Sequence, residues 1–199
     1  MKTHSISRHA STNVLHAFDY AKYVGRPLDC YVVLACDEKG SGKTAAQICQ
    51  GVRDRYRAWN INASKRYGIE CHSPTYVQTI EDPNGDNPHA NWITHMPEVL
   101  FAEFLRKLPQ WLKKEQGRLR LRDVSVQRVN IETDKTLAKY VVKGVDSHFI
   151  DYFHLEEFAE DQGVVKGRRT CVSPSIGRTA RRDAGFIPKL HRHEWKKDY

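Results

Sequence analysis

No run in this 199-residue sequence approaches the ~18 consecutive apolar residues that a membrane-spanning helix requires. Met1 to Ser11 is polar and lacks the apolar centre of a secretory leader, so a cytoplasmic location without membrane attachment is the expectation. The five cysteines (Cys30, Cys36, Cys49, Cys71, Cys171) are odd in number and include no Cys-x-x-Cys pair, which argues against a disulfide framework and a structural zinc site. Reduced, mostly buried thiols remain. No internal repeat or low-complexity stretch is present. With 40% hydrophobic, 10% aromatic and 28% charged residues, the chain has the composition of a folded globular protein, long enough for one catalytic domain with a core.

The charge is unevenly placed. The net charge is +8, but residues 1–162 hold 22 Lys+Arg against 21 Asp+Glu, whereas residues 163–199 hold 10 against 3. The basic excess therefore lies in the last stretch, where Arg168, Arg169, Arg178, Arg181 and Arg182 are candidates to track a nucleic-acid backbone. A solvated basic tail is the simpler alternative. On the first of these views, truncation near Gly163 is expected to separate DNA retention from any catalysis upstream.

Three blocks follow from the pattern: an N-terminal extension over 1–27, a core over 28–147, and an acidic then basic segment over 148–199. Asp29–Cys36 is a β-branched apolar run of strand length, and Ile48, Val52, Tyr56 and Trp59 recur at helical spacing within Thr44–Tyr67. Pro74–Asp82 and His89–Met96 read as a hairpin around the turn formers of Pro83–Pro88. Pro97 opens a second helix with Val99, Leu100, Phe104 and Leu108 on its apolar face, which Pro109 bends or ends. Leu119–Ile131 reads as a strand. Thr133-Asp134 then caps a third helix carrying Leu137, Val141 and Val145. The resulting β-α-β-β-α-β-α order predicts an α+β fold, an antiparallel sheet with helices packed on it, of the ferredoxin-like kind.

Strand residues two apart share a face, so His89, Asn91 and His95 point one way. If Glu81 pairs with His89 across the turn, its carboxylate joins them in a mixed nitrogen and oxygen set suited to Mn²⁺ or Mg²⁺. Polar contacts on a solvated hairpin are the alternative. Tyr140 and Lys143, three apart, share a helical face on which an ammonium can neutralise charge developing at a phosphate. A partly buried tyrosine beside a solvated lysine gives the same pattern.

Taken together and in this order, these motifs resemble the HUH endonucleases, specifically the replication initiators of rolling-circle elements. Tyr31-Val32-Val33-Leu34 is similar to the family's apolar strand, His89-Ala90-Asn91 to its His-apolar-His motif, and Tyr140-Val141-Val142-Lys143 to its Tyr-x-x-Lys motif. Asn91 departs from the pattern; some viral members carry Gln there, so an amide oxygen ligand is implied. The resemblance spans about residues 28–146 and implies an RRM-like, ferredoxin-like nuclease fold. It implies a divalent ion, Mn²⁺ or Mg²⁺, held by Glu81, His89 and Asn91, with His95 a fourth candidate. Tyr140 is then the nucleophile that nicks DNA and keeps the 5′ phosphate, and Lys143 the charge-stabilising group. Single-stranded DNA or an origin hairpin is the implied partner, with a host helicase and polymerase supplying unwinding and synthesis.

Two rival readings carry their own residues. Gly40-Ser41-Gly42-Lys43-Thr44 between a strand and a helix is the setting of a phosphate-binding P-loop, although Asp37 stands where that motif needs glycine. Alternatively, the sheet binds nucleic acid without cleaving it, although no aromatic-rich strand of the RNA-binding kind is evident among the central strands. His191-Arg192-His193 repeats a His-x-His pattern in the basic tail, where contact with phosphate is the expectation.

Overall fold

The computed structural model describes residues 1–70, 73–130 and 136–188. Its elements are β1 (Lys2–Thr3), α1 (Arg8–Tyr23), β2 (Cys30–Ala35), α2 (Glu38–Ser41), α3 (Ala45–Tyr67), β3 (Tyr76–Glu81), β4 (His89–Thr94), α4 (Glu98–Gln116), β5 (Val124–Arg128), α5 (Leu137–Tyr140), α6 (Ile150–Phe153), β6 (Val165–Lys166), β7 (Thr170–Val172) and α7 (Arg178–Asp183). The expected α+β architecture is present: β5-β2-β4-β3-β7 form one five-stranded sheet in which every neighbouring pair is antiparallel. β2 and β3 both run antiparallel to β4 and hence parallel to each other, which is the ferredoxin-like arrangement around a βαβ crossover through α3. Among the described residues no helix is long and apolar enough to cross a membrane.

Alternation along the strands builds two cores. Cys30, Val32 and Leu34 of β2 and Ala90 and Trp92 of β4 face α3 and α4, packing with Ile48, Val52, Tyr56 and Phe104. Thr44 caps α3 in a reciprocal capping box with Gln47, and Gly68 ends it in the left-handed conformation. α4 runs through Pro109 rather than stopping there, because Trp111 and Leu112 beyond it are buried in the core and offset the missing backbone bond. Val99, expected on the apolar face, is exposed.

The opposite sheet face carries the second core, in which Val77 and Ile93 pack with Val14 and Leu15 of α1, Val141, Leu155 and Ile176. Residues 1–27 thus contribute a helix that closes this face, and β7 extends the sheet beyond β3. The segments set apart by composition are built into the same body. The third helix is only the single turn α5, followed by turns bonded three residues apart, Val142 N–H to Lys139 and Lys143 N–H to Tyr140. It ends because Ile6 docks alongside, donating to the Gly144 carbonyl at 2.7 Å and accepting from Asp146 N–H at 3.0 Å. Its expected cap, Thr133-Asp134, lies outside the described residues.

Candidate active site

At one end of the second face, β3 and β4 place Glu81 directly opposite His89 and Thr79 opposite Asn91. Facing residues share a side of the sheet, so these four side chains form a polar patch beyond the apolar pair Val77 and Ile93. His89 Nε2 lies 3.1 Å from Glu81 Oε2. The turn after α5 brings in the other half: Lys143 Nζ stands 3.4 Å from the same Glu81 oxygen and donates to the Tyr140 hydroxyl at 3.2 Å. Tyr140, Lys143, Glu81 and His89, spread over more than 60 positions of sequence, form one connected cluster.

The electrostatics follow from burial. The Glu81 side chain is 3% exposed and that of Lys143 10%. Burial works against the charged form of Lys143, yet the Glu81 carboxylate and the Tyr140 hydroxyl outweigh it and hold the ammonium above its ordinary range. A cation is thus fixed against both the carboxylate and the phenol.

Tyr31 belongs to the apolar-strand motif, which did not mark it as a member of the site. Its hydroxyl donates to Asn91 Oδ1 at 2.5 Å. Burial first, then the neighbouring Tyr140 and Glu81, push its phenol well above the ordinary tyrosine range. The available signal was the alternation of β2: Tyr31 pairs with Ile93 and so lies on the same face as His89 and Asn91. In the sequence it is hidden inside a run that reads as plain core strand.

The residues present fit a divalent ion. Two donor atoms 3.1 Å apart, one imidazole nitrogen and one carboxylate oxygen, match the spacing of adjacent ligands about 2.1 Å from a metal. Asn91 is 1% exposed, and its Nδ2, together with Thr79 Oγ1 on the facing residue, is buried without a hydrogen-bond partner. The Nδ2 group is a donor and asks for an acceptor such as a phosphate oxygen, whereas Oδ1, which accepts from Tyr31, is the only Asn91 side-chain atom with a lone pair to offer a cation. Among the described residues no group of three or more His, Cys, Asp and Glu gathers, so a set of three protein ligands here would have to draw on the Asn91 amide oxygen.

Other expected site residues lie elsewhere. His95 follows the far end of β4, where its Nδ1 meets the Pro27 carbonyl at 3.0 Å and Asp29 at 3.8 Å. Arg169 is buried and donates to the carbonyls of Thr3, Gln162 and Gly163, while buried Arg181 donates to Asn13 Oδ1 at 2.6 Å and the Ile176 carbonyl at 2.7 Å. Arg169 ties the start of β7 to β1 and to Gln162–Gly163, and Arg181 ties α7 to α1, so neither guanidinium lies open to a nucleic-acid backbone. Arg168, Arg178 and Arg182 are exposed, the last paired with Asp183 at 3.1 Å. His191-Arg192-His193 lies outside the described residues.

The P-loop alternative fails on its backbone. The amides that would cradle phosphate are already taken: Gly40 N–H donates to Asp37, Lys43 N–H to Ser41 Oγ, Thr44 N–H to Gln47 and Ala45 N–H to Glu38. Lys43 itself pairs with Glu115 at 3.0 Å.

No protein-family profile and no curated protein sequence matches the chain. Among solved structures, it is similar to the catalytic domain of the Rep protein of adeno-associated virus type 5, with 12% identity, 85% of this chain and 94% of that chain covered, and a TM-score of 0.37. At that score the likeness carries no weight of its own, and the reading of the site rests on its geometry.

Proposed function

We propose that this chain is a site-specific nicking endonuclease and strand transferase for single-stranded DNA, with Tyr140 as nucleophile, of the replication-initiator type. The observation that carries the reading is the contact of Lys143 with both the Tyr140 hydroxyl and Glu81, which joins the nucleophile to the Glu81–His89 pair.

Glu81, His89 and Asn91 would hold Mn²⁺ or Mg²⁺, which when bound supplies Lewis-acid polarisation of a scissile phosphate. Tyr140 Oη attacks phosphorus, a Tyr–O–P bond forms, and the P–O3′ bond breaks. The phenolic proton leaves to solvent, and the departing 3′ oxygen takes up one to become a free 3′-OH. Lys143 offsets the negative charge gathered on the phosphate oxygens, and Tyr31 holds Asn91 in place. The phosphotyrosine conserves the energy of the phosphodiester, so rejoining is the reversal of the same step. Strand separation and synthesis fall to a separate helicase and polymerase.

The test is an SDS-resistant adduct between the protein and a pool of single-stranded oligonucleotides in Mn²⁺. The adduct is expected for the unaltered chain, absent in Tyr140→Phe and diminished in His89→Ala. An adduct formed by Tyr140→Phe at the unaltered rate overturns the assignment. Salt-sensitive DNA retention with no adduct in any metal favours a binding module instead.

A further inference from the structure

Behind the catalytic face, between α3 and the β3–β7 edge of the sheet, lies a cavity of about 270 Å³ lined by Gln50, Arg53, Gln78, Arg168, Arg169 and Thr170, among others. Gln78 and Glu81 lie on opposite faces of β3, so Gln78 and Arg53 stand across the sheet from the Tyr140 cluster, while Arg169 at the β7 edge reaches from the cavity toward Gly144.

Its chemistry is one-sided. Among the described residues no carboxylate lines it. Arg53 is 8% exposed and Gln78 1% exposed. Among the described residues the Arg53 guanidinium donates to two amide oxygens, those of Gln78 and Gln50, the latter at 2.7 Å. A guanidinium has no acceptor, so the Gln78 amide must turn its oxygen to Arg53 and leave Nε2 as a donor; that Nε2 is buried with no partner. Arg169 Nε is likewise buried and unpartnered, and the exposed Arg168 stands at the rim. A buried cation with no counter-anion among the described residues and an orphaned donor are each costly, and both lie at a cavity several times the size of a water.

We propose that this cavity is a second anion site that takes a phosphate-class oxyanion, with Arg53 supplying the buried charge, Gln78 Nε2 a hydrogen bond, and Arg168 the closing contact from the rim. An oxyanion satisfies all three at once, because it offers several acceptor oxygens and negative charge to groups that can only donate. The phosphate is either free or carried by a nucleic-acid backbone, and the chemistry that recognises it is the same. The inference is independent of the assignment of Tyr140.

The experiment uses inorganic phosphate as the probe, with thermal unfolding and calorimetric titration of the full chain against chloride at matched ionic strength. Phosphate is expected to raise the melting temperature saturably. Gln78→Glu, which gives Arg53 an internal carboxylate, is expected to melt higher than the unaltered chain without phosphate and to lose the response. Arg168→Ala, an exposed change that leaves the core intact, is expected to weaken phosphate binding about tenfold, and decides the matter if Gln78→Glu does not fold. Lys143→Met is expected to keep the full response. Binding unchanged in both Gln78→Glu and Arg168→Ala overturns the proposal, as does a response lost in Lys143→Met but kept in Gln78→Glu, which would place the phosphate at the Tyr140 cluster. Competition between phosphate and a single-stranded oligonucleotide identifies the DNA backbone as the source, and its absence identifies free phosphate.

Discussion

Lys143 and Glu81 form a buried ion pair, 3.4 Å from Nζ to Oε2, in which the same ammonium also donates to the hydroxyl of Tyr140. Removing one partner of a buried pair leaves the other uncompensated, so Lys143 has a structural task besides the chemical one proposed for it. Lys143→Met, which keeps the length of the side chain and removes its charge, is expected to lower the rate of adduct formation by about 10²-fold. Lys143→Arg restores part of the rate. Single-turnover gel assays with excess protein measure both; an unchanged rate in Lys143→Met removes the residue from the mechanism.

Asn91 is the place to test the metal half. Asn91→Asp keeps the volume and exchanges a neutral oxygen for a charged one, so Mn²⁺ affinity in the absence of DNA is expected to rise by roughly tenfold. Asn91→Leu is expected to lower it. Calorimetric titration with Mn²⁺ reads the ligand role without depending on catalysis, and equal affinities in all three proteins would exclude Asn91 from the coordination shell.

Tyr31→Phe deletes the hydroxyl that holds Asn91 Oδ1 and leaves a buried acceptor unpaired. A stability loss of about 1–2 kcal/mol is expected from denaturant unfolding. Mn²⁺ affinity is expected to change with it, because the amide is freed to reorient. A stability loss with unaltered metal affinity would confine Tyr31 to packing.

Truncation near Gly163 is expected to cost the fold as well as the basic segment, because the described part of that segment is packed into the sheet. Gly163 has φ +65°, and a Cβ built on it would lie 1.8 Å from the Asp82 carbonyl oxygen, at the point where Asp82 N–H meets Gln162 at 2.9 Å. Gly163→Ala is expected to cost about 2 kcal/mol or more. Truncation after Gly163 removes β7, uncovers the edge of β3 and takes away buried Ile176. Insoluble or molten protein is the expected product; a cooperatively folding, nicking-competent truncation would show that the basic segment is dispensable.

His16 gives the stability a pH dependence. Burial first, then the nearby Arg181 and Arg178, lower its pKa from 6.5 to about 4, so the fold holds it uncharged. In the window between those values the unfolded chain binds more protons than the folded one, and stability is therefore lost as pH falls from 6.5 toward 4. Denaturation midpoints across that range are expected to decline, and less steeply in His16→Gln. Parallel slopes in the two proteins would assign the decline to other groups.

Much of this site was legible before folding. The period-two spacing of His89 and Asn91, with a turn-rich loop between two β-prone runs, put Glu81 opposite His89, and the register agrees. The spacing of three between Tyr140 and Lys143 survived a wrong expectation about their element, because a turn bonded three residues apart brings the same two positions together as a helix does. Tyr31 and the role of residues 1–27 were not legible. A polar N-terminal stretch with scattered apolar positions gives no sign that its helix will cover a sheet face formed more than 50 residues later.

The sequence by itself determined the local alternations: which residues face which side of a strand, where α3 begins and ends, and which pairs at short spacing travel together. Those are consequences of backbone geometry within a few residues. Only the tertiary structure decided that Glu81 pairs with Lys143, that Arg169 and Arg181 are fasteners rather than open cations, and that Arg53 lies buried at a cavity that no carboxylate of the described residues lines. Charge count treats every arginine alike. Burial and the partners available across the sheet separate them, and both are fixed by strand order and by which distant segments close each face.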